Sequence, residues 1–136
     1  MLIDTNIFIE IGKGQKHTQV CEELLDAIKK GMAKEKAYIT KFTLSAIEAL
    51  MGEKHDEFLL EILLLVHQGL IKIYESNIQD DLSAHAMRTD LNLDFDDALQ
   101  FVTANRLATY LVTYDKDFAK TSLPTKTPEE VLKALA

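Results

Sequence analysis

The sequence predicts an α/β domain built on a central parallel sheet of four or five strands, and three observations carry that expectation. Short strand-like runs, Met1–Ile3, Ala37–Thr40, Leu70–Tyr74 and Tyr110–Thr113, alternate with stretches of helical period. Such alternation produces parallel strands joined by right-handed crossovers. The 136 residues suit one domain, residues 1–136, with length for a substantial core. A hydrophobic content of 47% and a charged content of 27% are ordinary for a globular chain, and no repeat, linker or low-complexity segment divides it.

Each element follows from local chemistry. Three apolar residues make a short buried strand, ending at Asp4. Thr5 and Asn6 are good helix caps, and the apolar run Ile7–Ile11 starts a helix that Gly12 and Gly14 break. From His17 to Lys30, Val20, Cys21, Leu24, Leu25 and Ile28 fall on one helical face, and Gly31 is a stop. After the strand Ala37–Thr40, a helix runs from Lys41 through Met51 and ends near Gly52. A second helix spans about Asp56 to Gln68, and its Phe58–Val66 stretch is apolar all round except Glu61. A surface helix keeps a polar face, so this one is either sandwiched in the core or covers a partner, and the partner surface is favoured in a domain with few fully enclosed positions. Gly69 turns the chain into Leu70–Tyr74. Asn77 to about Asp90 is helical, with Ile78, Leu82, Ala86 and Met87 as its apolar side, and a helix opened by Asp94–Asp97 runs to Leu107 or Ala108. A short last strand near Pro124 precedes a final helix with Pro128 in its first turn.

Composition excludes several function classes. One cysteine, Cys21, permits no internal disulfide and has no cysteine partner for zinc; its place in an apolar stripe marks it as a core thiol. A reducing, cytoplasmic setting is expected, since no signal peptide is evident and no apolar run reaches the ~18 residues of a membrane span. The net charge of −7 opposes unassisted binding to a polyanion. A nucleic-acid substrate would need its charge offset locally, and a divalent cation is the obvious means. His17, His55, His67 and His85 share no metal-ligand spacing.

The functional signal is a set of acids where a core pattern calls for apolar atoms. Asp4 stands at a strand's carboxyl end, where open α/β sheets bind ligands; the plainer reading is a helix cap. Glu48 shares a helix face with Leu44, Ile47 and Met51, either within the buried stripe or at its edge beside Lys54. Asp97 aligns with Phe101, Ala104 and Ala108, so it should point toward the sheet. Asp96 aligns with the more polar Gln100 and Thr103 and is expected nearer solvent, with Asp94 as the helix cap. Asp115 follows the fourth strand as Asp4 follows the first. Strand tips of a parallel sheet share one rim, so Asp4, Glu48, Asp97 and Asp115 converge there. Unscreened, they would raise one another's pKa values. One or two hard cations, Mg2+ or Mn2+, would offset this, because carboxylate oxygens and water suit those ions. Asp117 is a supporting acid or a turn residue.

Asp4-Thr-Asn6, Ser45-Ala-Ile-Glu48, Asp97-Ala-Leu99 and Thr113-Tyr-Asp115-Lys-Asp-Phe118, in this order along nearly the whole chain, resemble the PIN domain family. The resemblance implies a compact three-layer α/β/α sandwich and a magnesium- or manganese-dependent ribonuclease, often the toxin of a VapBC-type toxin–antitoxin pair. It implies that Asp4, Glu48, Asp97 and Asp115 hold the metal, that Asn6 and Thr113 support the site, and that a homodimer is common. The Phe58–Val66 helix is the segment expected to mediate such a dimer.

The chemistry expected is metal-assisted phosphodiester hydrolysis, with Asp4 as central ligand and no serine or histidine nucleophile. Lys41 and Lys116, with Lys13 and Lys120, lie on segments near the rim and are expected to attract an RNA backbone. A haloacid-dehalogenase-type phosphatase fits less well, because the second acid two residues after Asp4 is here Asn6. A phosphorelay receiver domain wants an Asp at the third strand tip, where this chain has Glu75. A non-catalytic RNA-binding or scaffold module of the same fold is the remaining alternative, and buried carboxylates without a use would only destabilise it.

Overall fold

The structure, a computed structural model, describes residues 1–51 and 53–135. Its sheet contains β1 (Leu2–Ile3), β2 (Ala37–Thr40), β3 (Ile71–Tyr74), β4 (Leu111–Val112) and β5 (Thr125–Lys126). All neighbours are parallel, in the order β3-β2-β1-β4-β5. Leu2 lies opposite Leu111 and Ile3 opposite Val112. Because successive strand residues point to opposite faces, Leu2 and Leu111 enter one core while Ile3 and Val112 enter the other.

Among the described residues seven α-helices clothe the sheet: α1 (Thr5–Gly12), α2 (Thr18–Lys29), α3 (Lys41–Met51), α4 (Asp56–His67), α5 (Ile78–Leu91), α6 (Phe95–Arg106) and α7 (Pro128–Leu135). The first core joins Ile3 and Ile39 to Phe8, Leu24, Ile28, Ile47, Leu65 and Val131, and so to α1 through α4 and α7. The second joins Leu2 and Leu111 to Ala84, Ala98, Leu99 and Val102 of α5 and α6. Helices on both faces of one sheet make the three-layer α/β/α sandwich. Gly12 lets α1 approach α3 closely, because a Cβ there would meet the Met51 thioether. Cys21 is fully buried and unpaired, as its stripe implied. Among the described residues no helix is long and apolar enough to cross a membrane. The expected helix stop at Gly52 lies outside the described residues.

Two helices refine the reading. In α4, Ile62 and Leu65 face inward while Leu60, Leu63 and Leu64 are exposed, so a helix apolar all round leaves an apolar outer face. In α5 the expected apolar side holds only at Met87, which is partly buried against the second core. Ile78 is 68% and Leu82 56% exposed, and the inward residues are Asp80 and Ala84. Ala84 is small enough for α5 and α6 to pack closely. Asp80 is inward because its carboxylate is fully engaged: it accepts from the Tyr74 hydroxyl at 2.8 Å, the Asn77 amide at 3.1 Å and Arg106 Nε at 2.9 Å. The Asn77 side chain accepts the Asp80 amide in return at 2.9 Å, closing a capping box. Burial alone would raise the Asp80 pKa, but Tyr74, the Asn77 amide and Arg106 outweigh it and hold the group below its usual range.

The strand order places the site. From β1 the chain moves outward through β2 to β3, then crosses back to β4 on the other side of β1. The order therefore reverses between β1 and β4, and in such sheets the crevice outside the carboxyl ends at the reversal is the binding position.

Asp80 should behave as a structural clamp. Asp80→Ala is expected to lower unfolding free energy by about 3 kcal/mol, because it strands the Tyr74 hydroxyl and Arg106 and opens the capping box. Urea denaturation measures this, and a loss below about 1 kcal/mol would contradict the clamp.

Candidate metal centre

Asp4 occupies the first position beyond β1, and its amide donates to the Val112 carbonyl at 3.0 Å, which fixes it beside the end of β4. It stands at the N-cap of α1 in extended conformation, yet its side chain makes no cap hydrogen bond. The first-turn amides of Thr5 and Asn6 still favour its charged form without closing a cap hydrogen bond. Asp4 is 1% exposed. Thr113 Oγ1 donates to Asp4 Oδ2 at 2.7 Å and accepts from the Asp115 amide at 2.9 Å. One hydroxyl therefore ties the β1 acid to the backbone of the β4 acid. Burial pushes the Asp4 pKa up to about 6, against the pull of the Thr113 hydroxyl and the Asn6 and Thr5 amides and with a further push from Asp115.

Asp97, Asp115 and Asp117 gather on the same rim. Each offers a carboxylate oxygen, and these oxygens lie within 4.8 Å of one another. Local hydrogen bonds arrange them. Asp94 Oδ1 accepts the Asp97 amide at 2.8 Å and so caps α6, leaving the Asp97 carboxylate available. Asp115 Oδ1 accepts the Asp117 amide at 2.8 Å and opens the 3-10 turn Lys116–Lys120. Burial, then the charges of Asp94, Asp115, Asp4 and Asp96, raise the Asp97 pKa to about 7.

Asp96 departs from the sequence reading. It is half-buried rather than solvent-facing, and its Oδ1 is enclosed with no hydrogen-bond partner. Burial, followed by the charges of Asp4 and Asp94, raises its pKa to about 7. The polar line Asp96–Gln100–Thr103 turns inward because α6 is enclosed on every side from Ala98 to Ala104. Gln100 and Thr103 are fully buried. The available signal was that line's apolar flanks, Ala98, Leu99, Phe101, Val102 and Ala104, which leave α6 no polar surface of its own.

The remaining residues sit as follows. Glu48 is exposed on α3, at the edge of the stripe formed by Leu44, Ile47 and Met51, and no ion pair joins it to Lys54 among the described residues. It is outside the Asp97–Asp115–Asp117 group. Asn6 is exposed in the first turn of α1. Lys41 opens α3 and Lys116 follows Asp115, both exposed. His17 stacks on Tyr114, with ring centroids 3.9 Å apart, and Tyr114 donates to Glu129, which braces the segment between Thr113 and Asp115.

This donor set fits a hard cation. It is composed of carboxylate oxygens without cysteine or histidine. The buried Asp96 Oδ1 has no hydrogen-bond partner, and burial with neighbouring acids holds Asp4, Asp96 and Asp97 above the usual carboxylate range, surroundings that a cation would suit.

Residues 1–123 match the family described as PIN domain. No curated protein sequence matches the chain. Among solved structures, a toxin-antitoxin complex from Klebsiella pneumoniae is similar at a TM-score of 0.67 and 23% identity, over 93% of this chain and 96% of that one. VapBC2 from Rickettsia felis, bound to a DNA fragment from their promoter, is similar at 0.69 and 15% identity, over 93% of this chain and 96% of that one. At these identities the likeness is one of fold, and the fold is the α/β/α sandwich described above.

The raised carboxyls set a pH dependence. Their folded pKa values lie above the unfolded value of about 4, so the native state binds more protons than the unfolded chain up to about pH 7. Stability of the metal-free protein therefore falls as pH rises through about 6 and about 7. The urea midpoint in chelator is expected to drop between about pH 5 and about pH 7.5, and Mn2+ is expected to restore it at the upper value. A midpoint that climbs across that range in chelator would contradict the burial of these acids.

Proposed function

The chain belongs to the PIN domain family, and from that premise we propose that it is a divalent-metal-dependent ribonuclease, the toxin of a VapBC-type toxin–antitoxin pair. The observation that carries this reading is the group Asp97, Asp115 and Asp117 at the sheet's reversal point, with the buried Asp4 and Asp96 outside that group but coupled to it by charge. Asp4, Asp97 and Asp115, with Asp96 beside them, would hold one or two Mg2+ or Mn2+ ions; Glu48 would join from α3, and Asp117 would support the set. When bound, the metal activates water and polarises the phosphodiester.

The chain's own residues prepare that chemistry. Thr113 keeps Asp4 and the start of the Asp115 segment in register through its two hydrogen bonds. Asp94 takes the capping role on α6, so Asp97 need not. Lys41 and Lys116, exposed at the starts of segments on the rim, would attract phosphates of a chain whose overall charge of −7 otherwise repels RNA. Asn6 supports the site from the first turn of α1.

An antitoxin partner is supported by the two toxin–antitoxin structural neighbours. It would find a groove between α1, α2 and α4, with Ile11, Leu25 and Phe58 among its apolar lining and Glu22, Glu23, Asp26, Glu57 and Glu61 at hand for basic side chains. The exposed Leu60, Leu63 and Leu64 of α4 support a homodimer through the Phe58–Val66 stretch.

Two measurements test these readings. Purified protein should cleave single-stranded RNA with Mn2+ or Mg2+ and not in chelator, and Asp4→Asn and Asp97→Asn should each lose about 100-fold or more. Cleavage that persists in chelator, or an Asp97→Asn protein with full activity, would refute the metal mechanism. Sedimentation at about micromolar concentration should give a dimer, and Leu60→Glu with Leu64→Glu should give a monomer; a monomeric parent would remove α4 as the dimer surface.

A further inference from the structure

Beneath the carboxylates lies a buried hydroxyl and amide cluster with no part in the chemistry above. Thr5 of α1, Thr40 of β2, Thr43 of α3 and Gln100 of α6 are each buried, Thr43 and Gln100 completely. Thr43 Oγ1 is the centre. It accepts from Thr40 Oγ1 at 3.0 Å and from Gln100 Nε2 at 3.0 Å, and it lies 2.8 Å from Thr5 Oγ1. A hydroxyl has one hydrogen and two acceptor positions. Both positions are taken, so Thr43 donates its hydrogen to Thr5. The Thr43 amide donates to Thr40 Oγ1 at 2.9 Å, which fixes the hub on its own helix start.

The segments joined here are those that carry the acids. Thr5 follows Asp4, Thr43 is on the helix of Glu48, and Gln100 lies one turn beyond Asp96 and three residues beyond Asp97. Among the described residues, Gln100 to Thr43 is the side-chain hydrogen bond that ties α6 to α1 and α3; the Arg106 bond on α6 goes to Asp80 of α5.

Stability alone does not account for Gln100. Its Oε1 is buried without a donor, so an apolar side chain of similar size would remove that cost at the loss of one bond to Thr43, whose hydroxyl keeps Thr5 and Thr40. What an apolar residue cannot do is fix orientation between helices, which a saturated polar hub does. We propose that Gln100 and Thr43 are positioning residues: they hold the helix bearing Asp96 and Asp97 at a fixed distance from Asp4, and so set cation affinity without touching the ion. This rests on the metal-centre reading.

The test compares Mn2+ affinity, measured by electron paramagnetic resonance, with the urea midpoint for each variant. Gln100→Leu and Thr43→Val should each weaken Mn2+ binding about 10- to 100-fold, the range for residues that orient metal ligands. Thr43→Ser keeps the hydroxyl and should stay within about threefold of the parent. Thr103→Val removes another fully buried hydroxyl of α6, one with no partner, and should bind Mn2+ like the parent. Parental affinity in both Gln100→Leu and Thr43→Val, or an equal loss in Thr103→Val, would overturn the assignment. Should Gln100→Leu not fold, Thr43→Val against Thr43→Ser decides the question, equal affinity in the two being the contrary result. A parent chain that binds no Mn2+ would instead overturn the metal-centre reading itself.

Discussion

Burying the Asp4 carboxylate at the tip of β1 is the constraint around which this molecule is arranged. An ionised carboxylate out of water is costly unless something of opposite charge or several donors meet it. Here the Thr113 hydroxyl donates to it, the Asn6 and Thr5 amides also favour its charged form, and the Asp115 charge opposes it. The balance leaves Asp4, Asp96 and Asp97 raised together, a group poised to take up either protons or a cation. A fold optimised only for stability would place leucine or threonine at these positions. The strain is bearable because it is confined to one rim, while two apolar cores on either side of the sheet supply cohesion.

The surrounding polar residues act on geometry rather than on net charge. Thr113 couples β1 to the segment after β4, Asp94 caps α6 so that Asp97 need not, and Thr43 ties α1, α3 and α6 at one oxygen. On the far side of the helix pair, Asp80 performs the corresponding task for β3, α5 and α6, with an arginine to balance it. The contrast is instructive. Asp80 has its counter-charge in Arg106 and is held low; Asp4, Asp96 and Asp97 are buried near other acids and are held high.

Much of this was legible in the sequence. Strand and helix limits followed from period and breakers, and the three-layer arrangement from the alternation of elements together with the family likeness. Asp97 stood out because an apolar line runs beneath it, and Asp4 and Asp115 because each closely follows a strand-like run. Two misreadings share one cause. On α5 the apolar residues Ile78 and Leu82 face outward, and on α6 the polar residues Asp96, Gln100 and Thr103 turn inward. A helix's buried face is read from polarity, which works where one side meets water. α6 has no such side along its middle, and α5 buries Asp80 because Tyr74 and Asn77 just before it and the distant Arg106 all donate to it. The Asn77–Asp80 capping spacing is local, the Arg106 contact belongs to tertiary structure, and no hydrophobic period carries either. Glu48 shows the opposite limit: its apolar neighbours suggested burial, and it lies at their edge, exposed.

If the rim carboxylates form one cation site, crystals grown with Mn2+ will show an anomalous peak bounded by Asp4, Asp97 and Asp115, with Asp96 beside it. Full occupancy of Mn2+ elsewhere, or crystals in excess Mn2+ with no peak at this rim, would contradict it.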